Sequence, residues 1–107
     1  MSEDLLNLVN TIRDRKHKDE DKSYTSSLLS GGLSKCIDKM EEEFDELKEA
    51  LNDKSNIVHE AADTIYHILV TLEAADIKFE DVLKELESRK KNQVLKKRTT
   101  DNELRQK

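Results

Sequence analysis

The sequence KMEEEFDELKEALNDKSNIVHEAAD, residues 39–63, carries two groups of acidic residues that decide how the chain folds. The first group is Glu42, Glu43 and Glu46, and the second is Glu60 and Asp63. Spacings of three and four residues place the members of each group on one side of an α-helix. Thirteen residues separate Glu46 from Glu60, enough to finish one helix, turn and begin an antiparallel partner. The stretch therefore predicts a helix hairpin that brings the carboxylates of both groups together.

The predicted carboxylate cluster needs a positive charge. Like charges held close together repel, so a cation is required to make such a cluster stable inside a fold. Magnesium prefers oxygen ligands in octahedral geometry and keeps positions for water and phosphate. Residues 55–77 contain no Lys or Arg, although the chain has 19. This absence supports a magnesium site, and an acidic helix face in water stays the alternative.

The composition favours long helices. The chain has 107 residues, no Pro, two Gly and 40% charged residues, which is typical of an all-α protein of one domain. Its one cysteine, Cys36, excludes an internal disulfide and a cysteine-rich zinc site. No segment has the pattern of a signal peptide or the length of a membrane span. We therefore expect a cytoplasmic protein that does not bind membranes.

Apolar residues recur at helical spacing in several segments. Residues 3–14 form a first helix. The Ser/Thr residues around Tyr24 then offer N-caps for a short second helix, which Gly31 and Gly32 would end. The third helix, for which Ser34 is a plausible N-cap, carries apolar residues at alternating steps of four and three: Leu33, Ile37, Met40, Phe44, Leu47 and Leu51. Glu43 and Glu46 lie beside this seam and should point into a cleft next to the packed face. Residues 52–56 form a turn before a fourth helix with a broad apolar face.

The C-terminal part predicts a last helix and a tail. Phe79, Val82 and Leu86 repeat at helical spacing, and the periodicity fades after Arg89. We assign residues 1–90 to an all-α domain and residues 91–107 to a basic tail that is a frayed helix or disordered. The tail lacks interleaved aromatic residues, so a solubilising role is favoured over nucleic-acid binding.

A second metal chemistry is conceivable on the fourth helix. His59, Asp63 and His67 follow one another at intervals of four residues, and His59-Glu60-x-x-Asp63 imitates the HExxH pattern of zinc proteases. A third ligand pattern is missing nearby, so zinc is the weaker hypothesis. For His67 we favour an ordinary position on a polar face or at an interface.

Three motifs in order resemble a known family. Ser23-Tyr24-Thr25 is followed by a glycine and Lys35, then by Lys39-x-x-Glu-Glu-x-x-Glu46, then by Glu60-x-Ala-Asp-x-x-Tyr-His-x-Leu-Val70. This order resembles phosphoribosyl-ATP pyrophosphohydrolase of histidine biosynthesis, within the wider all-α, MazG-like superfamily. The resemblance spans roughly residues 5–90. The sequence departs from the family at Glu41 and Phe44, where glycine and a small residue are usual.

The resemblance implies a fold, a reaction and a set of site residues. The fold would be an antiparallel helix hairpin that dimerisation completes into a bundle, in a homodimer or higher homo-oligomer. The reaction would be Mg²⁺-dependent hydrolysis of phosphoribosyl-ATP, a small nucleotide substrate, to phosphoribosyl-AMP and pyrophosphate. The implied metal ligands are Glu43, Glu46, Glu60 and Asp63. Glu42 would support the metal or orient water, and it forms the catalytic set with Glu43 and Glu46.

The same resemblance implies contacts to phosphate or ribose from five residues. They are Ser23, Tyr24, Thr25, Lys35 and Lys39. For the two lysines, ordinary pairing with glutamates one turn away is the alternative, and for Ser23 and Thr25 it is helix capping. Two other functions remain open from the residues alone: a MazG-like pyrophosphohydrolase of free nucleoside triphosphates, and a non-catalytic helical dimer that serves as an interaction module.

Overall fold

The helices of the protein follow the predicted order. A computed structural model describes residues 3–16 and 23–90. The first four helices are α1 (Glu3–Arg15), α2 (Tyr24–Ser30), α3 (Leu33–Asp53) and α4 (Ile57–Ala74). Residues 79–90 form a further helix, α5, and the described ranges contain no β-strand. The all-α prediction is confirmed, while the predicted basic tail at residues 91–107 lies outside the described residues.

The chain divides into two compact units between residues 77 and 78. The first unit contains α1 to α4, and α5 belongs to the second. The assignment of residues 1–90 to one domain stays a prediction. Among the described residues, none of the helices combines the length and apolar character of a membrane span.

Two threonines of α4 set the antiparallel register of the α3–α4 hairpin. The Thr64 hydroxyl lies 3.2 Å from the carbonyl oxygen of Glu43, and the Thr71 hydroxyl lies 3.2 Å from that of Cys36. Each hydroxyl is also 2.7 Å from the carbonyl oxygen four residues earlier in α4. Since both pairs advance by seven residues in opposite directions, the two helices run in register over at least two turns. Small hydroxyl side chains let the backbones approach and keep their own polar groups satisfied.

We expect Thr71→Val to lower the free energy of unfolding by about 1 kcal/mol, because valine keeps the shape but removes a buried donor. The melting temperature should fall by about 4–8 °C in a domain of this size. Thr11→Val is the matched control, because Thr11 makes the same bond to the carbonyl four residues earlier, at 3.0 Å, on an exposed face of α1. Equal melting temperatures for the two variants would contradict the role of Thr71 in the hairpin.

The ends of the helices differ slightly from expectation. α3 begins at Leu33 after Gly32, whose φ of 92° suits glycine, so Ser34 lies in the first turn and is not the N-cap. The predicted turn of five residues shortens to three, because α3 continues to Asp53. Lys54 and Asn56 close it in the left-handed region, with φ of 59° and 57°. Asn tolerates this conformation better than most residues.

The predicted apolar seam of α3 is only partly covered within the chain, with Met40 and Leu47 half-buried. Four seam residues are more than a third exposed: Leu33 41%, Ile37 37%, Phe44 41% and Leu51 51%. The hairpin instead buries Cys36 and Ala50, which lie one position from the seam. On α4 the buried set includes Thr64, His67 and Thr71, whereas Val58 is 84% and Ile65 50% exposed. Periodicity thus identifies an apolar stripe but not the element that covers each part of it.

Polar contacts fasten α1 and α2 to the hairpin. Ser26 Oγ donates to the carbonyl of Arg15 over 3.0 Å. Cys36 Sγ donates to the carbonyl of Leu28 over 3.3 Å from inside α3. Lys16 forms ion pairs with Glu73, at 3.8 Å, and with Asp76. These contacts hold α2 in place beside the N-terminal half of α3, which positions Tyr24 near the carboxylates.

Candidate metal centre

Three glutamates from the two helices of the hairpin form a cluster. Glu43 and Glu46 of α3 and Glu60 of α4 each offer an oxygen, and these atoms lie within 4.8 Å of one another. Oε1 of Glu43 and Oε1 of Glu60 are buried, and neither has a hydrogen-bond partner within residues 3–16 and 23–90. A buried carboxylate oxygen without a donor is costly, so these two atoms call for a cation or a proton. The helix-hairpin prediction for these three residues agrees with this arrangement.

Burial and neighbouring negative charges raise the pKa values of two glutamates of the cluster. Burial raises the pKa of Glu43, and the negative charges of Glu46, Asp63 and Glu42 raise it further, while His67 opposes them. The pKa of Glu46 is also raised, first by loss of solvent, then by the charge of Glu60 and a side-chain hydrogen bond with it. Both shifts mean that the charged form is disfavoured in the protein without metal. A divalent cation would reverse this preference.

The fourth predicted ligand, Asp63, lies in an adjoining group. Its Oδ2 is 3.3 Å from Nε2 of His59, and Asp63, His59 and Glu60 have ligand atoms within 4.8 Å of one another. Glu60 therefore belongs to both groups, and the charge of Asp63 raises the pKa of Glu43 and of Glu46. The His59 side chain is 70% exposed, so the HExxH-like pattern does not build an enclosed zinc site.

The donor set fits magnesium. Carboxylate oxygens from two rigid helices are hard ligands, and two of them are buried without a donor. Glu42 lies outside this set. Its carboxylate pairs with Nζ of Lys39 at 3.4 Å, with 57% of the Glu42 side chain exposed. It is close enough for its charge to raise the pKa of Glu43 and Glu46.

The cleft has an acidic end and a basic end. Toward the α3–α4 turn it opens into a depression of about 370 Å³, lined by Glu46, Glu49, Ala50, Asp53, Ser55, Asn56 and Glu60. Toward the start of α3 lie Lys39 and the exposed Lys35. The Lys35 side chain lies across Gly31, where a Cβ would clash with its Cδ. An anion would therefore be attracted to the lysine end and repelled by the turn end.

The three residues of the Ser23–Thr25 segment differ in their contacts and in the exposure of their side chains. Ser23 caps α2, since its Oγ accepts from the backbone N–H of Ser26 over 3.0 Å. Thr25 is buried and its hydroxyl bonds to the hydroxyl of Tyr66. Tyr24 is 54% exposed. The capping alternative thus accounts for Ser23, and of the three residues Tyr24 has the most exposed surface.

A buried histidine, expected from the sequence on a polar face or at an interface, connects Tyr24 to α4. His67 is 5% exposed, and its Nε2 lies 3.0 Å from the Tyr24 hydroxyl. Its Nδ1 lies 2.8 Å from the carbonyl oxygen of Asp63. Tyr24, Tyr66 and His67 also form an aromatic group with ring centroids 5.0–6.4 Å apart. Sequence reasoning missed this contact, because the two partners are 43 residues apart.

Comparison with known proteins adds independent findings. Residues 5–90 match the sequence model of a family described as phosphoribosyl-ATP pyrophosphohydrolase. Proteins named phosphoribosyl-ATP pyrophosphatase from Rhodobacter capsulatus and Roseobacter denitrificans are 40% and 45% identical, over 79% and 77% of this chain and 84% and 80% of their own lengths. A protein of the same name from Clostridium acetobutylicum is 40% identical over 90% of this chain and 89% of its own. The matched residues include α2, α3, α4 and every carboxylate of the cluster.

Proposed function

The chain belongs to the phosphoribosyl-ATP pyrophosphohydrolase family, and we propose that it uses Mg²⁺ held between α3 and α4 to hydrolyse phosphoribosyl-ATP. The protein is a hydrolase of histidine biosynthesis that acts on a pyrophosphate bond. Its products are phosphoribosyl-AMP and pyrophosphate. The identity of the metal and the residues that hold it are the parts that we infer.

One observation supports the metal proposal most strongly. Glu43 and Glu60 face each other across the hairpin, each with a buried oxygen that has no donor in the described part of the chain. Together with Glu46, and with Asp63 beside them, they offer only oxygen ligands from the protein. Such a set suits magnesium better than a soft metal.

Each side chain then has a task in the reaction. Bound Mg²⁺ would neutralise charge on the polyphosphate and lower the pKa of a bound water. Glu43, Glu46, Glu60 and Asp63 would hold the ion, and the rigid helices would keep their oxygens in place. Glu42 is exposed and outside the ligand set, so its carboxylate can orient the attacking water and accept its proton.

The distribution of charged residues along the cleft indicates how the substrate would be oriented. Phosphate groups would lie toward Lys39 and Lys35, because Glu49 and Asp53 line the opposite end of the cleft. Lys39 pairs with Glu42 at 3.4 Å, and this exposed pair is weak enough to give way to a phosphate oxygen. Ser23 and Thr25 contribute through the geometry of α2, which carries Tyr24 to the same end.

The test is release of pyrophosphate by the purified protein with Mg²⁺, comparing phosphoribosyl-ATP with ATP, dUTP and dCTP. We expect turnover of phosphoribosyl-ATP that stops when the metal is removed with EDTA and returns when Mg²⁺ is added. Preference for a free triphosphate would refute the substrate, and turnover in EDTA would refute the metal.

We expect Mg²⁺ to raise the melting temperature, and more so at pH 7.5 than at pH 5. The raised pKa values of Glu43 and Glu46 mean that the folded protein binds protons more tightly than the unfolded chain. Their protonation therefore stabilises the metal-free protein at low pH, and this contribution is lost as pH rises through the raised pKa values. Mg²⁺ needs the ionised form, so its binding strengthens over the same range.

At a concentration ten times its Kd, Mg²⁺ would contribute about 1.4 kcal/mol, or about 6–11 °C. Scanning calorimetry at both pH values measures the effect, with KCl of equal ionic strength as the control. A melting temperature that Mg²⁺ leaves unchanged at pH 7.5 would contradict the site.

We infer in addition that two copies of the chain associate through the exposed apolar residues of the hairpin. Phe44 and Leu51 of α3 and Val58 and Ile65 of α4 are 41–84% exposed. Exposed apolar groups of this extent are typical of protein interfaces. A homodimer would complete the hairpin into a helical bundle. Because the substrate derives from ATP, we place the enzyme in the cytoplasm.

A further inference from the structure

The hydrogen bonds of His67 determine where the proton of Tyr24 lies. Nδ1 of His67 is 2.8 Å from the carbonyl oxygen of Asp63. A carbonyl can only accept, so Nδ1 must carry hydrogen and donate. In the neutral imidazole Nε2 then has a lone pair and no hydrogen. With the imidazole neutral, the Tyr24 hydroxyl, 3.0 Å from Nε2, is therefore the donor in that bond.

This arrangement leaves the Tyr24 oxygen as an acceptor. Its one proton points to His67, and its lone pairs are available to a ligand. Burial raises the pKa of Tyr24, and the charges of Glu43 and Glu42 raise it further, although Lys39 lowers it. The phenol thus keeps its proton at neutral pH. Ionised phosphate oxygens are acceptors only, so Tyr24 cannot bind a phosphate while it donates to His67.

The position of Tyr24 suits a sugar. Its side chain is 54% exposed, and its partner His67 lies one helical turn beyond Asp63 in α4, on the side away from the acidic α3–α4 turn. The phosphates would lie toward the same end, beside Lys35 and Lys39. In a nucleotide the sugar adjoins the phosphates, and its hydroxyl groups are donors. The polarity of Tyr24 therefore matches a sugar hydroxyl and excludes the phosphate contact that the sequence also allowed.

We propose that Tyr24 accepts a hydrogen bond from a sugar hydroxyl of the nucleotide, and that His67 is the positioning residue that fixes its orientation. The proposal rests on the proposed function, since it concerns the substrate of the same site. It assigns His67 no contact with substrate. His67 acts by holding both the proton and the ring of Tyr24.

The experiment compares phosphoribosyl-ATP with analogues in which one sugar hydroxyl at a time is replaced by hydrogen. With the wild-type protein, we expect one analogue to lose about tenfold in kcat/KM, as one hydrogen bond contributes. With Tyr24→Phe, the loss for that analogue should shrink to less than about twofold, and turnover of the full substrate should fall by a similar tenfold. A variant that retains the full discrimination would overturn the proposal.

His67 is tested by two variants that differ in one property. His67→Gln keeps an acceptor at about the reach of Nε2, whereas His67→Leu removes it. We expect Gln to preserve most of the sugar discrimination and Leu to lose it, with no further loss when Tyr24→Phe is added to His67→Leu. Equal discrimination in the wild type and both folded His67 variants would refute the positioning role. Circular dichroism and the Mg²⁺-induced thermal shift establish which variants are folded. If His67→Leu does not fold, the comparison of His67→Gln with Tyr24→Phe decides the test.

Tyr66→Phe is the matched control. Tyr66 belongs to the same aromatic group, but its hydroxyl bonds to Thr25 and not to His67. This variant should keep the wild-type ratios of kcat/KM between the full substrate and the analogues. A loss of discrimination in Tyr66→Phe would overturn the specific role of Tyr24. Failure of the wild type to release pyrophosphate would refute the proposed function itself, whereas normal turnover with unchanged ratios in Tyr24→Phe would refute only this inference.

Discussion

Replacing Glu46 with Gln should reduce turnover of phosphoribosyl-ATP by about 1,000-fold, equivalent to about 4 kcal/mol in the activation barrier. Glu46 is one of three carboxylates whose oxygens lie within 4.8 Å, so the change removes a charged ligand from the proposed ion. The amide that Glu46→Gln introduces can still donate to Glu60, which keeps the hydrogen bond that links the helices. The variant should therefore fold, and without metal it should melt at a higher temperature than the wild type, because repulsion with Glu60 is relieved.

The matched control for this prediction is Glu41→Gln. Glu41 lies on the same helix and is exposed, and the substitution makes the same chemical change at a position outside the ligand set. Its turnover should stay within about threefold of the wild type, since exposed charges act weakly through solvent. Pyrophosphate release and the Mg²⁺-induced shift in melting temperature are measured on both variants. Activity of Glu46→Gln equal to that of Glu41→Gln would remove Glu46 from the site.

The carboxylate cluster was accessible to sequence reasoning because it depends on local geometry. Glu43 and Glu46 flank an apolar stripe, so the helical spacing alone directs them to a cleft. The connection to Glu60 is long enough to turn and begin an antiparallel partner. The structure brings these three residues together, whereas their roles in metal binding stay a prediction.

The side of each helix that is buried could not be read from the sequence. Thr64 and Thr71 count as polar in any periodicity analysis, yet both are buried, at 3% and 9% exposure. Their hydroxyls bond to carbonyls of their own helix, so burial costs little and leaves no trace in the pattern. The contact between Tyr24 and His67 is hidden for a different reason, since it depends on how α2 docks against α4.

The exposed apolar residues lead to a second prediction, which concerns the association of two copies of the chain. Phe44→Glu should convert the proposed dimer into monomers. Phe44 is 41% exposed in the single chain, so covering the rest of the side chain contributes about 0.6–1.2 kcal/mol of the roughly 1.5–3 kcal/mol for full burial. In a symmetric dimer the substitution occurs twice, so this loss alone should weaken association by about 1–2.5 kcal/mol, or roughly 5-fold to 70-fold in Kd. Burial of two new carboxylates adds to the loss.

Analytical ultracentrifugation across a range of protein concentrations measures this change in mass. Asn52→Glu is the control, because it adds the same charge at an exposed polar position near the end of α3 and should leave association unchanged. Phe44→Glu should also melt at a lower temperature, since an isolated hairpin keeps Leu51, Val58 and Ile65 in water. A wild-type protein that stays monomeric at micromolar concentration would show that the apolar face serves another purpose. Association of Phe44→Glu with unaltered strength would show that two copies meet through a different surface.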